Sequence, residues 1–234
     1  MPDAKGLLGP FTMRPMSRVL RPLMRYRLGR AIGRLLALPV GEVPALDLLE
    51  ELRTSWGNEA FVANLPFLAA VAKHAVAAEG PILECGSGLT TIVLGALAGR
   101  RGVPVHSLEH VPEWFAHVFT KLRRYRVPGI ALRLTRLISY GPFEWYELPK
   151  GDWPNEFQLV VCDGPPNATT LGGRYGLLPL EGPHLPAGAI VLLDDATCSS
   201  EILVRRRWHL ERRMREEIHQ APDRAYAVLT LGGQ

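Results

Sequence analysis

Apolar residues fall into two rhythms along this chain. Between residues 80 and 196, short apolar runs recur at 81–86 (PILECG), 103–110 (VPVHSLEH), 130–138 (IALRLTRLI), 157–164 (FQLVVCDG) and 188–196 (GAIVLLDDA). Runs of this length, bounded by turn residues, are the pattern of strands buried on both faces. The stretches between them carry apolar residues at helical spacing. Residues 89–99 read as a helix closed by Gly99, and 112–127 as one opened by Pro112, which suits a first turn whose N–H has no partner. A helical 199–209 follows the fifth run, and two last strands, about 211–219 and 224–231, flank a turn at 221–223. This alternation predicts an α/β fold: a doubly wound, mainly parallel, Rossmann-like seven-stranded sheet with an antiparallel edge strand from the closing hairpin.

Upstream, 44–55 and 57–79 read as helices, the second carrying Phe61, Leu65, Leu68, Val71 and Ala72 on one side. The leader before them has a shifting stripe. At about 100° per residue, Arg14, Arg18, Arg21 and Arg25 share a face opposite Val19, Leu20, Leu23 and Met24. Past Tyr26 the stripe rotates: Arg27, Arg30 and Arg34 stand opposite Leu28, Ile32 and Leu35. Two short amphipathic helices with a break near 26–29, at Gly29, are expected. The organisation is then a basic leader (1–40), a helical cap (41–79) and a main domain (80–234).

Charge sharpens this division. Residues 1–40 hold eight basic side chains against Asp3, a sum of +7, so the rest of the chain sums to −3 within a total of +4. A mildly acidic body lacks the basic stripe that nucleic-acid binding needs, so no nucleic-acid partner is expected. The leader has two readings: peripheral contact with a membrane surface or an acidic partner through residues 14–35, or a cap whose arginines are simply solvated. Cys85, Cys162 and Cys198 show no paired spacing and read as small apolar fillers of a reduced protein. No apolar run approaches the roughly 18–20 residues of a membrane span, and a cytoplasmic location is expected.

The chemistry gathers at the strand ends. The first strand ends in Glu84-Cys85-Gly86-Ser87-Gly88, the second in Glu109-His110, the third near Leu137-Ile138, the fourth in Asp163-Gly164 and the fifth in Asp194-Asp195. In an open parallel sheet ligands bind beyond these ends, and acids are seldom buried there without a task. Glu109 stands 21 residues after Gly88 at the tip of the next strand, where a carboxylate can accept both hydroxyls of a ribose. Thr91 replaces the third glycine of a dinucleotide motif, and Glu84 would repel a pyrophosphate but attract an ammonium. The balance tilts from a nicotinamide dinucleotide to S-adenosylmethionine.

On these residues the chain resembles the class I S-adenosylmethionine-dependent methyltransferases over about residues 80–232. ILECGSGLTT is similar to their first motif, VHSLEHVPEW to the second, FQLVVCDGPP to the fourth and GAIVLLDDA to the fifth-strand segment. The resemblance implies that Gly86, Ser87 and Gly88 wrap the methionine portion, that Glu84 lies near its ammonium, that Glu109 and its neighbour His110 hold the ribose end, that Leu137 flanks the adenine, and that Asp163 also contacts the cofactor. Asp163 and the pair Asp194-Asp195 resemble the catechol-type O-methyltransferase pattern, in which acids on these two strands hold Mg2+. Asp195 departs from that pattern, which has asparagine there, and Pro165-Pro166 follow where lysine often stands. Asp163 and Asp194 are therefore candidates for metal ligands with Asp195, for metal-free catalytic bases, or for loop caps. A small-molecule or sugar-type hydroxyl is the expected acceptor, because Asn167 follows the two prolines where amino-group methylation needs an aromatic. A nicotinamide-dependent oxidoreductase and a non-catalytic module docking through the leader are the alternatives. Arg174 is a candidate for binding a substrate carboxylate or phosphate or else a solvated surface residue, His184 for a base or a surface residue, and Trp145 with Tyr146 for pocket walls or aromatic packing.

Overall fold

In the computed structural model, which describes residues 20–57, 62–149, 151–166, 170, 172–222 and 224–233, the five apolar runs become parallel strands. These are β1 (Ile82–Cys85), β2 (Val105–Glu109), β3 (Ile130–Leu134), β6 (Leu159–Cys162) and β7 (Ile190–Leu193). With β8 (Met214–His219) and β9 (Tyr226–Leu231) they form one seven-stranded sheet in the order β3-β2-β1-β6-β7-β9-β8. The chain runs outward from β1 to β3 and then returns to lay β6 on the other side of β1, which places the switch point between β1 and β6. The antiparallel strand is β9, one in from the edge, and β8 is the edge strand itself.

The third run is shorter than its sequence pattern. β3 stops at Leu134, and residues 137–139 form β4 (Leu137–Ser139) of a separate hairpin with β5 (Glu144–Tyr146). The Glu147 amide donates to the Arg136 carbonyl at 2.9 Å, and Thr135 Oγ1 donates to the Glu147 carbonyl at 2.8 Å. Those local bonds turn the chain off the sheet.

Successive strand residues feed opposite cores. Ile82, Leu159, Val161 and Leu192 join one cluster, while Leu83, Cys85, Val160, Cys162 and Leu193 join the other. The first is covered by α1 (Leu20–Ala37), α2 (Leu46–Trp56), α3 (Leu65–Ala77), α4 (Leu89–Leu97) and α5 (Pro112–Tyr125). The second is covered by α6 (Ser199–Glu211), the β4–β5 hairpin and helical turns over 173–184. Those turns bury Tyr175, Leu177 and Leu178, so they belong to the core.

The leader also differs from its expected form. Residues 20–37 are one continuous helix with no break at Gly29. A Cβ on Gly29 would stand 3.2 Å from Tyr125 Cε1, so this glycine lets α1 press on α5 instead of interrupting it. Leu28, Ala31, Ile32 and Leu35 are buried, each large side chain contributing roughly 1.5–3 kcal/mol. The rotated stripe is therefore spent on the core, while Arg25, Arg27, Arg30 and Arg34 face solvent and Arg34 reaches Glu51 of α2 at 2.6 Å. The Arg14–Arg18 part of the first stripe lies outside the described residues. No helix among the described residues is long and apolar enough to cross a membrane.

Candidate active site

The tips of β1 and β2 are tied by hydroxyls and amides. Glu84 is wholly buried within β1; its Oε1 accepts from Thr90 Oγ1 at 2.6 Å, and its Oε2 from Thr91 Oγ1 at 2.7 Å and Ser107 Oγ at 2.5 Å. Burial pushes its carboxyl up to about 7, with the Ser107, Thr90 and Thr91 hydroxyls pulling the other way. The Gly88 amide donates to Thr91 Oγ1 at 2.8 Å, so the threonine at the third glycine position links the loop to the acid. Glu109 is 3% exposed. Its Oε2 accepts from the amide and hydroxyl of Ser87 at 3.1 and 2.8 Å, and its Oε1 from the His110 and Val111 amides at 2.8 and 2.9 Å. Trp114 Nε1 donates to the Ser87 carbonyl at 2.6 Å. The motif loop is thus clamped from both sides.

That loop borders a void. Gly88 is buried, yet a Cβ there would meet no atom within 4 Å. On its other side the loop abuts β6: a Cβ on Gly86, whose φ is +87°, would stand 3.0 Å from the Gly164 amide and 3.3 Å from the Asp163 carbonyl carbon. Gly164 in turn lies against the Tyr146 hydroxyl, 2.8 Å from where its own Cβ would be. The acid tips of β1, β2 and β6 therefore converge on one edge, as a shared ligand requires. The residues fit S-adenosylmethionine: a space beside Gly88, the Glu109 carboxylate at the neighbouring strand tip, and no free Gly88 amide to meet a pyrophosphate. Glu84, expected near the ammonium, is instead fully buried and held by the Thr90, Thr91 and Ser107 hydroxyls.

The tips of β6 and β7 are built differently. One oxygen each of Asp163, Asp194 and Asp195 lies within 4.8 Å of the others. Arg174, 3% exposed, is inserted among them. Its Nη2 donates to the Asp163 carbonyl at 2.7 Å and stands 3.2 Å from Asp163 Oδ1 and 3.3 Å from Asp195 Oδ2. Its Nη1 donates to the Asp194 carbonyl at 2.5 Å and lies 3.6 Å from Glu201 Oε1. Arg224 Nη1 approaches the other Asp195 oxygen at 3.5 Å. Asp194 is 1% exposed, and no described side chain hydrogen-bonds to its carboxyl. Burial, then the Asp194 charge, lift the Asp163 carboxyl well above the usual range; burial, then Asp195, lift Asp194. Two arginines, Arg174 and Arg224, thus stand among the three acids. This donor set does not fit Mg2+, because a guanidinium nitrogen already stands between the oxygens the ion would need.

Other expected positions separate. His110 lies beside Glu109, its Nδ1 3.5 Å from Glu109 Oε1, and burial lowers its pKa. Leu137 is carried by the β4–β5 hairpin rather than by a sheet strand. Arg174 is no substrate clamp, being sealed against three carboxylates and the Asp194 carbonyl. His184 sits at the opposite, amino end of β6, its carbonyl accepting from the Phe157 amide at 2.7 Å, too far back to serve as a base at the acid tips. Trp145 and Tyr146 are both fully buried, Trp145 under Gly176 and Tyr146 behind the strand tips, its hydroxyl against Gly164 and its ring meeting that of His110 edge-on. Cys198 is exposed and not a filler. Sequence reading missed Thr90 and Ser107, which partner Glu84, and Arg224. An apolar run interrupted by a serine at 107, opposite the glutamate, was the available signal for the first pair.

No protein family description matches the sequence, and no curated protein does. Solved structures do match. A Podospora anserina methyltransferase bound to SAH superposes with a TM-score of 0.58 at 13% identity, over 96% of this chain and 99% of that one. An O-methyltransferase from Bacillus cereus in complex with SAH gives 0.54 at 11% identity, over 89% and 99%. A Geobacter sulfurreducens methyltransferase gives 0.53 at 14%, over 88% and 97%. At these identities the likeness speaks for the fold, and it spans nearly the whole chain: its architecture is that of the class I S-adenosylmethionine-dependent methyltransferases.

Proposed function

We propose that the protein is an S-adenosylmethionine-dependent methyltransferase that methylates a hydroxyl of a small molecule or sugar. The observation that carries this reading is the void beside buried Gly88, at the edge where the tips of β1, β2 and β6 converge. S-Adenosylmethionine supplies, when bound, a methyl group activated by a sulfonium. The chain's own task is to hold the acceptor oxygen in line and to take its proton. Glu109 faces the ribose side, with the Gly86–Gly88 backbone along the methionine portion. Glu84 acts through Thr90, Thr91 and Ser107, shaping that loop from beneath. Asp194 offers the acceptor hydroxyl a carboxyl that no described side chain engages, and Asp163, one strand over, flanks it. No step runs through Mg2+.

Calorimetric titration with S-adenosylmethionine, S-adenosylhomocysteine and NAD, with Mg2+ or with EDTA, tests the cofactor. Binding of the first two, indifferent to EDTA, is expected. Binding of NAD alone would replace the reading with the oxidoreductase one. Transfer of labelled methyl to a panel of alcohols, phenols and sugars, with amines as the contrast, then tests the acceptor class.

A further inference from the structure

Arg174 lies eleven residues beyond Asp163 in a glycine-rich segment and is buried more completely than an arginine normally is. We infer that Arg174 is the resident counter-cation of the acidic cluster, holding Asp163, Asp194 and Asp195 in place where a metal-dependent site would use a divalent ion, and that its guanidinium excludes such an ion.

Three features of the cluster carry this. The planar fork bridges the two strand tips through main-chain atoms, Nη2 on the Asp163 carbonyl at 2.7 Å and Nη1 on the Asp194 carbonyl at 2.5 Å. An ion could not loosen that anchorage by competing for carboxylates alone. The same Nη2 then stands 3.2 Å from Asp163 Oδ1 and 3.3 Å from Asp195 Oδ2. A cation bound to those oxygens at about 2.0–2.5 Å would lie within a few ångströms of a buried positive charge. Finally, Asp195 gives its second oxygen to Arg224 at 3.5 Å, and Glu201 faces Nη1 at 3.6 Å, so the surrounding acids are arranged around guanidinium groups. Displacing Arg174 would strand its charge among carboxylates that had just been neutralised by the ion. Arg174 is thus a positioning residue: it touches neither acceptor nor donor and acts through the acids it holds. The inference concerns occupancy of the cluster, and it stands or falls separately from the methylation reading.

The test is Mn2+ binding to the full chain, stripped with chelator, followed by electron paramagnetic resonance of the free ion at neutral pH. The wild-type chain is expected to show no saturable site up to about 1 mM, whereas Arg174→Met exposes the acids and gains one site at least about tenfold tighter, lost again in Arg174→Met/Asp195→Asn. One Mn2+ per wild-type chain at micromolar concentration, abolished by Asp195→Asn, would overturn the inference. So would a folded Arg174→Met protein that binds the ion no better than wild type. Should Arg174→Met not fold, Arg174→Met/Asp163→Asn/Asp195→Asn decides. Recovery of a cooperative melting transition supports charge balance as the role, and continued failure to fold refutes it.

Discussion

The two halves of the acidic edge solve one problem in opposite ways. At the tips of β1 and β2, two buried carboxylates are met by neutral donors: three hydroxyls on Glu84, and three amides and a hydroxyl on Glu109. At the tips of β6 and β7, two of three carboxylates, those of Asp163 and Asp195, are met by cations, while the Asp194 carboxyl is engaged by no described side chain. Neutral donors fix geometry without attracting further charge, which suits a cradle that must keep its shape. Carboxylates gathered around a guanidinium remain crowded and raised in pKa, which suits a site that exchanges a proton. The difference teaches that acids at neighbouring strand ends need not share a role.

The sharpest way to break this contrast is at Asp194. If the second half does the chemistry, Asp194→Asn lowers methyl transfer by roughly 10²–10⁴-fold, the span of a lost general base, while leaving S-adenosylmethionine affinity within a few-fold of wild type. Equal losses in turnover and cofactor affinity would instead make the β6–β7 tips part of the cradle.

The first half makes a statement about stability. Glu84 titrates at about 7 in the folded chain against 4.5 as an ordinary glutamate, so folding gains its full benefit from the neutral acid below about 4.5 and loses it as pH rises through about 7. Glu181, buried behind the sheet and likewise pushed up to about 7, adds in the same direction. Melting temperature should therefore fall between pH 5 and 8. Glu84→Gln should flatten the slope by up to about 3 kcal/mol, at roughly 1.4 kcal/mol per pKa unit. A slope unchanged by Glu84→Gln would mean the three hydroxyls hold the carboxylate ionised throughout.

Glu109→Ala should weaken S-adenosylmethionine binding by roughly 1.5–3 kcal/mol in calorimetry, the scale of hydrogen bonds to a charged group. An unchanged affinity would remove the ribose assignment.

The sheet and the acid tips were legible because each rests on a local signal: an unbroken apolar run, and a charge where that run stops. Tertiary facts left no such trace. Gly29 read as a break because glycine weakens a helix, while its reason is the Tyr125 ring pressed against it. Leu137 read as the end of a strand because the apolar run continues past Leu134, and only the bonds from Thr135 and Glu147 show the chain leaving the sheet. Arg174 read as a surface or substrate-facing residue because burying a guanidinium costs several kcal/mol unless partners are supplied. Its partners come from Asp163, Asp194, Asp195 and Glu201, brought together by folding alone.

The smallest expected effect is the most discriminating for the cradle. A carboxylate has about four acceptor positions, and all four on Glu109 are met within the chain, two of them by Ser87. A ribose that bonds Glu109 must therefore share or displace a donor, and the Ser87 hydroxyl is the one that can rotate away, since the amides are fixed by the backbone. Ser87→Ala removes that competitor while keeping the Ser87 position's amide on Oε2. Affinity for S-adenosylmethionine should then stay level or rise, by no more than about 1 kcal/mol, the net worth of one ordinary hydrogen bond. A loss of that size would reverse the roles, making the hydroxyl a direct contact to the ligand or an essential brace for Glu109. Paired with Glu109→Ala in a double-mutant cycle, the coupling should vanish once the carboxylate is gone, because a hydroxyl that only competes for Glu109 has nothing left to compete for.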